Sequence, residues 1–317
     1  MPGALEGIRI LDLTRLLPGA VATQWLADYG AEVIKVEQPS IGDYARDSYT
    51  ALFERTNRGK KSVEIDLKAS KDSFLKLVRT ADVLIEGFRP DVMDRLGLGY
   101  DVLREVNPRL IYVALTGYGP DSLLAGHDVN YLAMSGVLDL MRAEDGRPVI
   151  PGVQIADLAG GSMQAIIGIL LAILDRHRTG LGQRVDVSMT DGLELLLPVA
   201  RSRGPVELLS GKYACYRVYA GSGDSFVAVG ALEPKFWANL CRELGCKELI
   251  ELQFAANQEA VIAVVAEKFM SATAEDWFER IGDKDCCVTP VRIAAHEAVP
   301  VVAVRAPRRG EHNEEFL

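Results

Sequence analysis

Apolar and polar residues alternate over Ile8-Arg9-Ile10-Leu11-Asp12-Leu13, the period of a strand. A turn leads from there into an apolar helical run over residues 20–29, with Pro18 suited to its first turn and Gly30 ending it. Residues 31–36 read as a second strand, so the chain opens with a strand-helix-strand unit of the doubly wound kind. The pattern then predicts a polar loop over 38–50, a strand over 62–66, a helix over 68–80 and a strand over 81–86. Two short helices over 91–98 and 101–106 and a strand over 110–115 follow. Asp157 precedes a long apolar helix bearing Met163, Ile166, Ile167, Leu170, Leu171 and Leu174, and beyond it lie a strand at 183–189 and a helix at 191–197 stopped by Pro198. Periodicity lapses over 200–212, around Gly204-Pro205, which predicts a linker between a first domain, 1–199, and a second, 213–295. In the second, strands at 216–219 and 226–230 form a hairpin, and 231–237 starts a helix with Pro234 in its first turn. Helices at 258–270 and 274–281 and a strand at 287–291 complete it. Residues 296–317 are expected to return towards the large domain as a tail, with Pro307-Arg308-Arg309-Gly310-Glu311-His312 polar and exposed.

Composition narrows the class. At 317 residues, 49% hydrophobic and 25% charged, the chain can bury a sizeable core, which excludes a disordered or fibrous protein. No apolar run is expected to reach the roughly 18 residues of a membrane span, because Gln164 interrupts the helix after Asp157 and Asp175-Arg176-His177-Arg178 ends it. The N-terminus enters a strand without the pattern of a signal peptide, so the reading is a soluble cytoplasmic protein. A net charge of −9 argues against nucleic acid or an anionic membrane as partner, and any polyanionic ligand needs a local basic site. The five cysteines offer neither a C-x-x-C pair nor histidines at zinc spacing, so buried free thiols are expected and no metal.

Candidate chemistry is concentrated between Gly126 and Gly161. A free imidazole takes up and gives back a proton near neutral pH, so His127 could act as a base, or it could merely hydrogen-bond backbone at a helix start. Asp157 reads first as an N-cap, at a place where amides and the positive helix end would also favour a developing oxyanion. The first turn lacks G-x-G-x-x-G, so no dinucleotide site is expected there. Lysines and arginines recur at strand ends, in Asn57-Arg58-Gly59-Lys60-Lys61 and Gly87-Phe88-Arg89-Pro90, where open sheets bind ligands; the alternative is an ordinary solvated face.

The strings Arg9-Ile10-Leu11-Asp12-Leu13-Thr14, Ala31-Glu32-Val33-Ile34-Lys35-Val36-Glu37, Glu86-Gly87-Phe88-Arg89-Pro90, Asn107-Pro108-Arg109-Leu110-Ile111, Arg178-Thr179-Gly180-Leu181-Gly182-Gln183 and Gly310-Glu311-His312 together resemble the class III CoA-transferase (CaiB/BaiF) family. Gly126-His127-Asp128-Val129-Asn130-Tyr131 and Ala231-Leu232-Glu233-Pro234 resemble its α-methylacyl-CoA racemase branch. The resemblance implies an α/β fold, with a Rossmann-like large domain, a smaller α/β domain and an interlocked homodimer. It further implies catalysis by His127 and Asp157, with Glu233 orienting the histidine. Coenzyme A contacts would fall on Asn57, Arg58, Lys60, Gly87, Phe88, Arg89, Arg95 and Tyr131. No cofactor is implied as permanently bound; the CoA thioester is the substrate. Gln38 departs from an arginine common in the family and Val153 from an asparagine of racemases, and the segments before Tyr213 and between Ala295 and Ala306 look short.

Three activities fit these residues. A racemase would move the α-hydron of a 2-methylacyl-CoA thioester from face to face through an enolate held by amides at the start of the Asp157 helix. A CoA-transferase would use Asp157 as nucleophile, through an anhydride and an aspartyl-CoA thioester, and needs no histidine. A CoA-binding protein without turnover is the third.

Overall fold

The computed structural model describes residues 3–143, 145–202, 205–292 and 304–317. Gly204 of the expected linker and most of the short stretch after Ala295 lie outside them. The chain divides into two compact units, one of Met1–Leu197 with Pro300–Leu317 and one of Pro198–Val299. The expected linker at 200–212 is not uniformly irregular: short helices occupy Pro198–Arg201 and Pro205–Leu208.

Among the described residues of the first unit, β1 (Arg9–Asp12), β2 (Glu32–Glu37), β3 (Lys61–Glu64), β4 (Val83–Glu86), β5 (Ile111–Thr116) and β6 (Arg184–Ser188) form a parallel sheet in the order β3-β2-β1-β4-β5-β6. This doubly wound order turns back between β1 and β4, and a crevice for ligands opens outside the carboxyl ends of the strands at such a reversal. Its helices include α1 (Pro18–Asp28), α2 (Ala45–Ser48), α3 (Thr50–Asn57), α4 (Lys71–Thr80), α5 (Val92–Arg95), α6 (Tyr100–Val106), α7 (Asp128–Ser135) and α8 (Gln164–Thr179). Strands β4 and β5 are buried at every residue, as expected of parallel strands covered on both faces.

Several elements differ from the pattern reading. The loop expected over 38–50 contains α2 and runs directly into α3, which buries Phe53 together with the polar Thr56 and Asn57 and so lacks a purely apolar stripe. The helix after Asp157 is continuous from Ala156 to Thr179, 24 residues, long and apolar enough to cross a membrane. Gln164 does not interrupt it, since glutamine is a good helix former. One side of α8 buries Ala165, Ile166, Ile169, Ala172 and Ile173; Met163, Ile167, Leu171 and Leu174 are exposed along the helix. Its end is held where Arg176 pairs with Asp82 at 2.9 Å.

The polar tail is also tied down. Asn313 accepts from the Glu64 amide at 2.8 Å, the amide of His312 donates to the Ser62 carbonyl at 2.9 Å, and Nδ1 of His312 accepts from the Ser62 amide at 3.1 Å. The tail thereby satisfies the open edge of β3, which would otherwise present unpaired backbone groups.

In the second unit β7 (Tyr216–Ala220), β8 (Phe226–Gly230) and β9 (Val288–Pro290) form an antiparallel sheet. A separate core around Trp237, Phe269 and Trp277 lies among its helices. Four of the cysteines are buried and free, as expected; Cys287 is free but exposed.

Candidate active site

The two residues singled out for proton transfer stand at the starts of two helical segments that one side chain joins. His127 is exposed in extended backbone immediately before α7, its N–H donating to Asn130 Oδ1 at 3.1 Å. Tyr131, one turn on, donates its hydroxyl to the Gly126 carbonyl at 2.5 Å. Its ring fills the space where a Cβ on Gly117 or Gly126 would sit, 2.4 and 2.8 Å from ring carbon Cε1, so both glycines are required for this packing. The Tyr118 ring meets it edge-on with centroids 5.1 Å apart.

Asp157 is not the cap its sequence position suggests. It lies inside the first turn of a π-helical segment, Ala156–Met163, whose own N-cap residue, Ile155, offers no side-chain hydrogen bond. The amide of Asp157 instead donates to Asp128 Oδ1 at 2.9 Å. The segment is set close against the chain after β6: a Cβ on Gly160 would stand 2.2 Å from the Met189 carbonyl oxygen, and one on Gly192 2.3 Å from the Gly160 carbonyl oxygen. Ser162 anchors its other side by donating to the Pro18 carbonyl at 2.6 Å. Single π-helical turns of this sort recur at functional sites.

Burial pushes the Asp157 carboxyl up to about 6, with the Asp128 charge adding to the rise and His127 opposing it. Tyr131 is pushed up to about 12, by burial first and then by Asp157, Tyr118 and Asp128. His127, Asp128, Tyr131 and Asp157 are therefore one electrostatic group. Among the amides expected to hold an oxyanion, two are occupied: Asp157 N–H by Asp128, and Leu158 N–H by the Gln154 carbonyl at 3.0 Å.

Two crevices open at the carboxyl ends of the strands and share Phe88. One, of about 390 Å³, is lined by Arg15, Glu37, Gln38, Lys68 and Phe88 among others. The second, of about 320 Å³, is lined by Gly87, Phe88, Arg89, Gly126, His127 and Tyr131 among others. The Gly87-Phe88 turn is fixed by its own strand end, Glu86 accepting from the Phe88 amide at 2.7 Å. Arg95 is exposed at the end of α5, whose neighbours Val92 and Leu96 line the first crevice.

In the Asn57–Lys60 turn, where ligand contacts were expected, the side chains are engaged within the chain. Lys60 is buried with its Nζ held by Thr23 Oγ1 at 2.7 Å, Asn57 Oδ1 at 2.9 Å, the Ala20 carbonyl at 3.0 Å and Asp12 at 3.2 Å. Asn57 is fully buried in the same cluster, and Arg58 pairs with Asp28. These side chains brace α1 and β1, while the basic side chains of Arg15 and Lys68 line the first crevice. Sequence reading did not single out Arg15 and Lys68, which line the first crevice, or Asp128, which bonds the Asp157 amide; the first two follow strand ends, which is the signal that could have found them. Glu233 belongs to the second unit, exposed at the residue before the helix Pro234–Glu243. Among the described residues, no group of three or more histidines, cysteines and carboxylates could hold a metal.

A family model described as CoA-transferase family III matches residues 5–306. The chain belongs to CoA-transferase family III. Among characterised members it is 36% identical over 304 residues to the alpha-methylacyl-CoA racemase of Homo sapiens, covering 91% of this chain and 78% of that protein. It is 34% identical over 331 residues to the acetyl-CoA:oxalate CoA-transferase of Acetobacter aceti, covering 96% and 85%. The crystal structure of a hypothetical protein (Rv3272) from Mycobacterium tuberculosis superposes with a TM-score of 0.84 at 31% identity, over 99% of each chain. This family III chain is thus an enzyme of a group in which both racemases and CoA-transferases occur at similar distance.

Proposed function

We propose that the chain is an acyl-CoA racemase that inverts the α-carbon of 2-methylacyl-CoA thioesters. The observation that carries the reading is the bond from the Asp157 amide to Asp128 at 2.9 Å, which ties Asp157, its carboxyl pushed up by burial to about 6, to the residue after His127. A thioester acidifies its α-carbon. An imidazole can take that hydron from one face and a protonated carboxyl can return one to the other, provided both groups exchange protons near the working pH. A carboxyl near 6 is protonated in about a tenth of molecules at neutral pH, enough to serve as acid in one direction and, ionised, as base in the other. Phe88 lines both crevices, which suits a substrate whose nucleotide end sits by Arg15 and Lys68 and whose thioester reaches His127. In this reading Glu233 orients His127, and the exposed Met163, Ile167, Leu171 and Leu174 are covered in an interlocked homodimer.

A second reading, CoA transfer through an aspartyl-CoA thioester at Asp157, is favoured by the equally similar transferase relative. Two measurements on His127→Ala separate them. Racemisation of a single-enantiomer 2-methylacyl-CoA, followed by chiral chromatography, is expected for the wild type and lost in His127→Ala. Hydroxylamine trapping of Asp157 in the presence of a carboxylate acceptor, with full turnover in His127→Ala, would instead establish transfer.

A further inference from the structure

We propose that Asp128 is the positioning residue that locks His127 and Asp157 into one catalytic unit. This inference deepens the reading of the site as a two-base proton-transfer centre and rests on it.

Asp128 follows His127 directly and is the first residue of α7. Its Oδ1 accepts from the Asp157 amide at 2.9 Å, across 29 residues of sequence, where no side chain of the π-helical segment's own start acts as cap. One half-buried carboxylate therefore sits beside the first catalytic residue along the chain and bonds the backbone of the second. Any displacement of α7 along the π-helical segment stretches that bond. The start of α7 is thus tied directly to the backbone that carries the Asp157 carboxyl, which matters because proton transfer to a positioned carbon tolerates little error.

The same carboxylate also acts through its charge. Elements packed against the π-helical segment carry other ionisable groups: Asp28 on α1, Arg184 and Asp186 on β6, Asp191 and Glu194 after it, and Asp175 to Arg178 at the far end of α8. The charged groups that act on Asp157 are Asp128, which raises its proton affinity, and His127, which lowers it. An asparagine at 128 keeps an acceptor for the Asp157 amide and removes the charge; an alanine removes both. The two variants therefore separate position from charge.

The test compares wild type, Asp128→Asn and Asp128→Ala by α-hydron exchange into deuterated water across pH, with thermal unfolding as a check of folding. A carbon-13 NMR titration of the Asp157 carboxyl, assigned with Asp157→Asn, needs no turnover. We expect Asp128→Ala to lower kcat roughly 10²-fold with KM little changed. Asp128→Asn is expected to lose far less and to move both the acid limb of the profile and the Asp157 titration to lower pH. Wild-type kcat in Asp128→Ala, or an Asp157 titration that does not move in Asp128→Asn, would overturn the inference. Absence of exchange in the wild type would overturn the racemase reading alone, since the titration still decides the role of Asp128. Should Asp128→Ala fail to fold, the Asn variant decides it.

Discussion

The ion pair of Lys60 with Asp12 is 3.2 Å long and closed to solvent, with Lys35 against the same carboxylate at 3.9 Å. Burial alone would raise Asp12, but Lys35 and Lys60 hold it down at about 2. Burial pushes Lys60 down to about 8 despite Asp12. Because Asp12 binds its proton less tightly folded than unfolded, its contribution is complete above about pH 4 and is lost as pH falls towards 2. Replacing Lys60 by methionine leaves a buried carboxylate one partner short, and about 3–5 kcal/mol of stability should be lost in urea unfolding. CoA affinity of the folded fraction should be unchanged; a stable variant with weakened CoA binding would restore Lys60 as a ligand contact. Nothing in Asn57-Arg58-Gly59-Lys60-Lys61 tells which lysine points inwards. That follows from strand register: Lys61 pairs with Ile34 at the start of β3, and the preceding lysine reaches under α1.

At the scale of the element, the π-helical segment is what sets Asp157. Its Ala-Gly-Gly-Ser run allows backbone to approach backbone, and Gly160 has no room for a methyl group beside the Met189 carbonyl. Gly160→Ala should cost about 1–3 kcal/mol through overpacking, and racemisation should fall further than the loss of folded protein explains, because the segment must shift. Wild-type stability and turnover in that variant would show that the close approach is not needed. The helix itself was legible from its apolar run and the first strand-helix-strand unit from its alternation, since both patterns are local. The capping of Asp157 was not, because its partner lies 29 residues earlier. Helix α3 escaped for a different reason: two of its three buried residues, Thr56 and Asn57, are polar and donate to carbonyls one turn back, so no apolar stripe marks it.

On the whole-molecule scale, the strand order places the reversal between β1 and β4. The loops after β1 and β4 both line the crevice by Phe88, and the loop after β5 lines the one that reaches His127. Motifs scattered from Arg9 to His312 made the family readable before the fold, and the family match over residues 5–306 agrees. The inward turn of Asn57 and Lys60 was not readable, because a motif fixes residue type without fixing which way a side chain turns. In the proposed racemase reading, His127 and Asp157 serve opposite faces of one carbon. Its most direct measurement is deuterium exchange of each enantiomer of a 2-methylacyl-CoA separately, in His127→Ala and in Asp157→Asn. We predict that each variant still exchanges one enantiomer without inverting it, and that the enantiomer differs between the two. Continued racemisation by either variant, or retention of exchange in the same enantiomer by both, would contradict the claim.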